Sequence, residues 1–237
     1  KEGGSDVWVS TFHSMCVRIL RRDIDRIGYT RAFTISDPGE QQTLMKRILK
    51  ERNIDPKKYN PRAILGEISN AKNELQTPED FRKEAGSFFE KIVADCYDDY
   101  QRELRRNQSV DFDDLIMLTI RLFKESPETL EYYQNKFHYI HVDEYQDTNE
   151  RQYDILAAIV KINRDINLLF VGDINQAIYG NLGGIAKSVD EIRKLFPTNF
   201  TEKCLDGCYR STQRLVDYYT NYEPKLNICY IINTYTK

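Results

Sequence analysis

Three short apolar runs, each followed directly by polar residues, constrain the fold of this chain more than any other feature. The runs span residues 7–9, 139–142 and 168–171, and the polar residues after them are Ser10-Thr11, Asp143-Glu144 and Gly172-Asp173. Runs of this length and composition are typical of strands buried in a parallel sheet. Ligands of open α/β sheets bind at the carboxyl ends of the strands. The sequence therefore predicts a parallel sheet whose polar strand ends carry functional residues.

Between these runs the pattern is helical. Apolar residues at three- and four-residue spacing predict a helix that begins at Phe12 and ends at Gly28. Further helices are predicted to begin at Asp37-Pro38 and at Thr77-Pro78, the last as a single long helix. No strand is predicted from residue 30 to 108. This block is interpreted as a helical subdomain inserted into an α/β domain.

The charge is distributed unevenly along the chain. A formal net charge of −3 over 237 residues excludes a uniformly basic protein that coats nucleic acid. Residues 46–72 nevertheless carry eight Lys and Arg against three acidic residues, and residues 139–154 carry one Arg against five acidic residues. A basic face suits a polyanion and an acidic strand end suits a cation. A solvated helix surface is the alternative interpretation of the basic segment.

Targeting and redox features favour a cytoplasmic protein. The first residues lack the apolar core of a signal peptide and an initiator Met, so we expect a piece of a longer protein. No apolar stretch is long enough for a membrane span. The five cysteines form no framework of close pairs, which predicts reduced thiols.

Two places in the sequence carry residues that could bind zinc. Cys204 and Cys208 are spaced as half of a site, but no second pair completes it. His138 and His141 flank a predicted strand at opposite phases, which favours packing or exposure over metal binding.

The Asp143-Glu144 pair is the sharpest candidate for chemistry. A carboxylate at a strand end can hold Mg²⁺ against phosphate oxygens. A second carboxylate beside it can deprotonate an attacking water. Such a pair is suited to a nucleoside-triphosphate hydrolase, although an isolated Asp-Glu pair also often caps a helix.

Two later segments carry groups suited to a nucleotide. Gln176 follows the run at 168–171, where its amide can sense a terminal phosphate. Arg210 offers a planar cationic donor set for a γ-phosphate, and Tyr209 offers a face for a base. Taken singly, the first segment is also typical of a turn and the second of a surface Arg.

In this order, these segments resemble the UvrD/PcrA/Rep group of superfamily 1 DNA helicases. Segments 10–14 and 111–115 add to the resemblance, which covers roughly residues 7–215. It implies an α/β fold, a RecA-like parallel sheet of the P-loop NTPase type with an inserted all-helical subdomain. Residues 1–29 and 109–215 would form an incomplete domain 1A, and residues 30–108 would form subdomain 1B. Residues 216–237 would be a tail or the start of a second RecA-like domain.

The resemblance also implies roles for individual residues. Asp143 would bind Mg²⁺ through water, and Glu144 would activate the hydrolytic water. Gln176 would couple the γ-phosphate to the DNA site, while Arg210 would reach that phosphate and Tyr209 would stack on adenine. The path of single-stranded DNA would be formed by Thr11, Phe12, His13, Phe112 and Tyr179.

The chain departs from the family pattern in three places. No Gly-x-x-x-x-Gly-Lys-Ser/Thr loop occurs. In the family that loop precedes the Thr11 segment, so we expect this chain alone to hydrolyse ATP poorly or not at all. Asn181-Leu182 stands where the family usually has Trp-Arg, and Cys208 where it usually has Asn. These substitutions indicate a divergent member or weakened coupling to DNA.

Three functions follow from these features. The resemblance implies part of an ATP-dependent 3′→5′ helicase that uses Mg-ATP to move on single-stranded DNA or at single/double-strand junctions, with repair or replication proteins as partners. The alternative is a module derived from the same fold that binds single-stranded DNA or a partner without hydrolysis. A metal nuclease is disfavoured because no Lys-bearing nuclease motif accompanies its candidate ligands, which are Asp111, Asp113, Asp114, Asp143 and Glu144.

Overall fold

A computed structural model describes most of the chain. The described residues are 7–160, 167–173, 189–196, 200–205, 212, 214 and 228–233. The chain forms two compact units, Lys1–Thr129 and Leu130–Lys237, which are described separately. Across the described ranges, the helices are too short or too polar to cross a membrane.

The first unit is built mainly from helices. They are α1 (Phe12–Asp23), α2 (Pro38–Glu51), α3 (Pro61–Asn73), α4 (Pro78–Glu84), α5 (Phe88–Arg106) and α6 (Phe112–Glu125). The side chain before each helix accepts a hydrogen bond from a backbone N–H of the first turn, which would otherwise lack a partner. The capping residues are Thr11, Asp37, Asn60, Thr77, Ser87 and Asp111.

The helix predicted from Phe12 is confirmed. It continues after Asp23 as a 3₁₀ turn, Ile24–Ile27, and ends at Gly28, whose φ of 84° lies in the left-handed region. A residue with a Cβ adopts that conformation at a cost, so glycine is favoured there.

The single long helix predicted from Thr77 is wrong. Helix α4 ends at Glu84, and Ala85 is extended with a ψ of 102°. Ser87 then starts α5 with its own capping box, in which its side chain accepts from the N–H of Glu90. The apolar stripe continues across this break, so periodicity alone did not reveal it.

The helical block is flanked by a short ladder that the sequence did not predict. Strands β1 (Thr34–Ile35) and β2 (Ser109–Val110) pair in parallel. Two residues are too few to show the alternation typical of a strand. The ladder brings the two ends of the block side by side, because the N–H of Ser36 donates to the carbonyl of Val110 at 2.8 Å.

The strand predicted at residues 7–9 is absent from the structure. These residues have no regular secondary structure, and Val7 and Val9 are 64% and 85% exposed. Trp8 instead lies under the guanidinium of Arg18, at 4.1 Å from the ring centre. A β-prone run forms a strand only where a neighbour supplies the ladder bonds, and no described strand lies beside this one.

The core of the helical block lies between α2, α3 and α5, and α1 and α3 pack on α6. Its buried side chains are Met45, Ile48, Leu49, Ile64, Ile68, Ala71, Val93, Cys96, Tyr97, Tyr100 and Leu104. These positions repeat at three- and four-residue spacing on each helix, as burial of one helical face requires.

The second unit contains the four-stranded sheet, and helix α7 (Pro127–Lys136) includes the residues at which the two units divide. The described elements of the second unit are β3 (Tyr139–Val142), α8 (Glu150–Val160), β4 (Asn167–Gly172), α9 (Val189–Leu195), β5 (Phe200–Leu205) and β6 (Ile228–Asn233). Phe170 of β4 lies at its centre, with the rings of Tyr145, Tyr153 and Phe196 at 5.6 to 6.2 Å between centroids.

The sheet is mixed rather than wholly parallel as predicted. Its order is β3-β4-β6-β5, with β3 and β4 parallel and β6 antiparallel to both of its neighbours. Residues 228–233, which the sequence left in the tail, thus lie inside the sheet. A short apolar run such as residues 228–232 can pair in either direction, so its orientation depends on the available neighbours.

Candidate nucleotide and nucleic-acid sites

The Asp143-Glu144 pair lies at the carboxyl end of β3, as predicted. Strands β3 and β4 pair with Val142 opposite Phe170, so the residues after them leave the same edge of the sheet. Both carboxylates are exposed. Glu144 has a φ of 50°, which is uncommon for a residue other than glycine and is often found at functional sites. We call Asp143, Glu144, Gln146 and Asp173 the carboxylate edge.

Gln146 connects the two strand ends, and sequence reasoning missed it. Its Nε2 donates to Glu144 Oε2 at 2.6 Å, and its Oε1 accepts from the backbone N–H of Asp173 at 3.1 Å. The side chain is 2% exposed. A backbone N–H only donates and a carboxylate accepts, so these partners fix the orientation of the amide. A single Gln in a 3₁₀ turn forms no pattern that would have identified it.

Gly172 allows this close approach. A Cβ at that position would lie 2.2 Å from Gln146 Oε1 and 2.7 Å from Tyr145 Cδ1. Both distances are far shorter than van der Waals contact. A glycine as the last residue of β4 is therefore required by packing at the carboxylate edge.

The oxygen donors of the carboxylate edge fit Mg²⁺. Mg²⁺ prefers carboxylates, and it is usually held by one or two of them together with water and phosphate oxygens. Among the described residues, no group of three or more His, Cys, Asp or Glu is placed to hold a metal ion. Asp147 Oδ1 is buried in the same turn and has no hydrogen-bond partner among those residues, so it offers one further acceptor.

The structure brings together most of the residues predicted for a DNA path. Thr11 caps α1, and Phe12 and His13 are the first residues of that helix. Phe112 is the first residue of α6, and its ring meets that of His13 edge to face at 5.6 Å. Phe112 is 49% exposed, while burial lowers the pKa of His13 and favours its neutral ring. We call His13 and Phe112 the aromatic pair.

Beneath Phe112 lies a buried ionic cluster that the sequence did not predict. Lys72 Nζ lies 2.6 Å from Asp111 Oδ2 and 2.8 Å from Asp114 Oδ1, and its side chain has no exposed surface. Tyr100 donates to Asp111, and Gln101 donates to Asp114. We call Lys72, Asp111 and Asp114 the buried triad. Lys72 lies about 40 residues before the two carboxylates along the chain, so no local pattern indicated their pairing with it.

Electrostatics keep the buried triad charged. Burial opposes the charge of Lys72, but the carboxylates of Asp114 and Asp111 outweigh it and raise the pKa of the lysine. Burial also opposes ionisation of Asp111, yet Lys72 lowers the pKa of that carboxyl. Burial raises the pKa of Asp114 to about 6. One ammonium thus faces two buried carboxylates at nearly equal distances.

The buried triad corrects two interpretations of the sequence. Asp111 and Asp114 accept from Lys72 and are closed off from solvent, so they are not available as nuclease metal ligands. Lys72 is equally unavailable to a polyanion.

Fewer cations of the basic segment, residues 46–72, are available to a polyanion than its sequence suggests. Arg47 is paired with Glu103 and Glu51, and Arg52 with Asp99 and Asp95. Within residues 46–72, the exposed cations without an ion pair to another described residue are Lys46, Lys50, Lys57, Lys58 and Arg62.

Several candidates lie outside the described residues. They are Gln176, Tyr179, Asn181, Leu182, Cys208, Tyr209 and Arg210. The histidines flanking β3, His138 and His141, are exposed. Cys16 and Cys96 are buried free thiols, and burial raises the pKa of Cys16 to about 12 and that of Cys96 to about 11.

Comparison with known proteins gives the same family as the motifs. The family described as UvrD/REP helicase N-terminal domain matches residues 1–197. The chain is 55% identical over 214 residues to the ATP-dependent DNA helicase PcrA of Bacillus subtilis (strain 168), a match that covers 90% of the chain and 29% of that protein. It is 54% identical over 211 residues to the PcrA helicase of Staphylococcus epidermidis, covering 89% and 28%. The chain thus spans less than a third of the length of these relatives.

Proposed function

The chain belongs to the UvrD/REP helicase N-terminal domain family, and from this premise we propose that it is part of an ATP-dependent DNA helicase. The proposed enzyme uses Mg-ATP hydrolysis to move on single-stranded DNA in the 3′→5′ direction. The observation that carries the proposal is the carboxylate edge, where two exposed carboxylates follow a parallel strand and Gln146 links Glu144 to Asp173, the residue after β4.

Hydrolysis would take place at the carboxylate edge. Glu144 would accept a proton from the attacking water, since an exposed carboxylate at a strand end can act as a general base. Asp143 would hold Mg²⁺, which when bound neutralises charge on the phosphate oxygens. Gln146 would keep the Glu144 carboxylate in place, because its donor is buried and its acceptor is anchored to Asp173.

The remaining nucleotide contacts are proposed from sequence position and family resemblance. Gln176 would respond to the γ-phosphate, Arg210 would reach it, and Tyr209 would stack on adenine. They would complete a site to which the carboxylate edge contributes the catalytic carboxylates.

Single-stranded DNA would follow the aromatic pair. Thr11, Phe12, His13 and Phe112 lie at the first turns of two packed helices, and Tyr179 is proposed to join them. A base stacked on an exposed aromatic ring gains about 1–3 kcal/mol, which suits the half-exposed ring of Phe112.

The domain assignment and setting are also proposals. Residues 30–108 would be subdomain 1B, a proposal supported by the β1–β2 ladder that joins the two ends of the block. We propose a cytoplasmic protein, supported by the free thiols of Cys16 and Cys96. Junctions of single- and double-stranded DNA would be its substrates, and repair or replication proteins its partners.

The test uses the full-length protein with Glu144→Gln. We expect the kcat of DNA-stimulated ATP hydrolysis to fall about 10²- to 10⁴-fold, while affinity for single-stranded DNA is kept. Glu131→Gln, at an exposed carboxylate of the same unit, is the matched control and should keep wild-type kcat. Displacement of streptavidin from 5′-biotinylated but not 3′-biotinylated DNA would report the direction.

Two results would contradict the proposal. Wild-type kcat in Glu144→Gln would remove this residue from its role. DNA binding by a wild-type protein that hydrolyses no ATP would favour the alternative, a binding module derived from the helicase fold.

A further inference from the structure

The buried triad holds the first turn of α6, the turn that carries Phe112. Asp111 is the N-cap of α6 and Asp114 is its third residue, and together they form its capping box. Phe112 stands between them as the first helical residue. The two carboxylates that bind Lys72 are therefore the two side chains that define where α6 begins.

Every carboxylate oxygen of the triad has a hydrogen-bond partner. Asp111 Oδ1 accepts from the N–H of Asp114 at 2.8 Å, and Asp114 Oδ2 accepts from the N–H of Asp111 at 3.1 Å. The other two oxygens accept from Lys72, and also from Tyr100 and Gln101 respectively. A shift of this turn would break bonds to buried charged groups, which is far costlier than breaking bonds at the surface.

Phe112 itself is held only loosely. Its side chain is half exposed, and the ring contact found for it is the edge-to-face contact with His13. Burial therefore does not fix its position as it does for a core residue. The position of the ring follows from the backbone on which it stands, and the buried triad fixes that backbone.

Lys72 reaches this turn from the helical block. It lies near the end of α3, and Tyr100 and Gln101 lie on α5. Two helices of the block thus contact the turn through polar groups, and the ammonium of Lys72 makes the central contact with both carboxylates.

We propose that Lys72 is a positioning residue for nucleic-acid binding, which holds the first turn of α6 so that Phe112 stacks on a base of single-stranded DNA. The inference rests on the proposed function, because it requires Phe112 to contact DNA. Lys72 touches no DNA, and its effect passes through Phe112.

The test is a double-mutant cycle in the full-length protein. Lys72→Met with Asp114→Asn removes the bridge and leaves one buried negative charge, the same net charge as the intact triad. We expect affinity for single-stranded DNA to fall roughly tenfold, within the range of one lost base stack. The fluorescence quenching of 2-aminopurine in the bound strand should be lost as well. Lys124→Met, at the exposed far end of α6, is the control and should bind as wild type.

The cycle separates positioning from a general loss of structure. In a Phe112→Ala background, we expect the triad substitutions to lower the affinity for single-stranded DNA by less than a further factor of two. The ring through which they act is absent from that background. An equal loss in both backgrounds would overturn the inference. So would wild-type affinity and quenching in a folded triad variant.

A milder variant covers the case in which the double substitution does not fold. Tyr100→Phe removes only the hydroxyl that donates to Asp111. We expect a twofold to fivefold loss of affinity, again absent in the Phe112→Ala background, and unchanged affinity would overturn the inference. If Phe112→Ala alone binds DNA as wild type does, the proposed DNA path is wrong and the inference fails with it. If Phe112→Ala weakens DNA binding but the triad variants bind as wild type does, the inference about Lys72 fails and the proposed DNA path stands.

Discussion

Carboxylates of this chain lie in two opposite environments, and the environment decides what each can do. Asp143 and Glu144 are exposed at a strand end, where they can meet a ligand. Asp111 and Asp114 are buried, and each of their oxygens accepts a hydrogen bond from within the chain. A buried carboxylate without a partner would cost several kcal/mol, so these oxygens are already committed. The sequence alone does not distinguish these four carboxylates, whereas their burial in the structure does.

His13 should give the first unit a pH-dependent stability. Burial lowers the pKa of its ring below the ordinary 6.5, so the unfolded chain binds the proton at a higher pH than the folded chain does. Stability is therefore fully present above pH 6.5 and is lost as the pH falls through the folded pKa. Each unit of difference in pKa corresponds to about 1.4 kcal/mol.

Urea unfolding at pH 7.5 and pH 5.5 measures this effect. His13→Gln should lose part of the stability difference between the two conditions, because glutamine does not titrate. His138→Gln, at an exposed ring, is the control and should keep the wild-type difference. Identical pH dependence in wild type and His13→Gln would contradict the assignment.

At the scale of elements, the helix caps were reliable signals, whereas an apolar run alone did not determine whether a strand would form. The caps at Thr11, Asp37 and Thr77 start helices as predicted, because a cap needs only the turn that follows it. The predicted strand at residues 7–9 did not form, since a strand needs a neighbour. Strands β3 and β4 did form and pair in parallel, and the residues at their carboxyl ends form the carboxylate edge.

Gln146 should matter because it links the ends of those two strands. Gln146→Met keeps the size of the side chain but removes the donor to Glu144 and the acceptor for Asp173. We expect kcat for ATP hydrolysis to fall about 10- to 100-fold with little change in KM, and the free energy of unfolding to fall by about 1–3 kcal/mol.

Steady-state kinetics of the full-length protein, with Gln152→Met as the control, checks this expectation. Gln152 accepts from the N–H of Asn149 and so also loses a hydrogen bond, but it has no bond to Glu144. A Gln146→Met protein with the same kcat as Gln152→Met would show that Glu144 needs no such support.

At the scale of the whole molecule, each of the two compact units has its own buried residues. The first unit contains the helical core, the aromatic pair and the buried triad. The second contains the mixed sheet and the carboxylate edge. Among the described residues, the proposed DNA contacts lie in the first unit and the proposed hydrolytic residues in the second.

This division predicts that the first unit folds alone. A protein of residues 1–129 should show a helical far-UV circular dichroism spectrum and unfold cooperatively, because its core and its ionic cluster are complete within it. Ile64→Ala, in that core, should lower its free energy of unfolding by about 2–5 kcal/mol. Absence of a cooperative transition in the unsubstituted unit would contradict the prediction.

The family and much of the candidate site could be predicted from the sequence. The strand-end motif at Asp143-Glu144 and the helix caps depend on neighbours along the chain, so the order of residues determines them. The antiparallel direction of β6, the burial of Lys72 and the bridge through Gln146 could not be predicted in this way. Each depends on residues that are distant in sequence and adjacent only after folding. Residue order determined which groups the chain offers for chemistry, and the tertiary structure decided which are exposed to a ligand and which are bound within the protein.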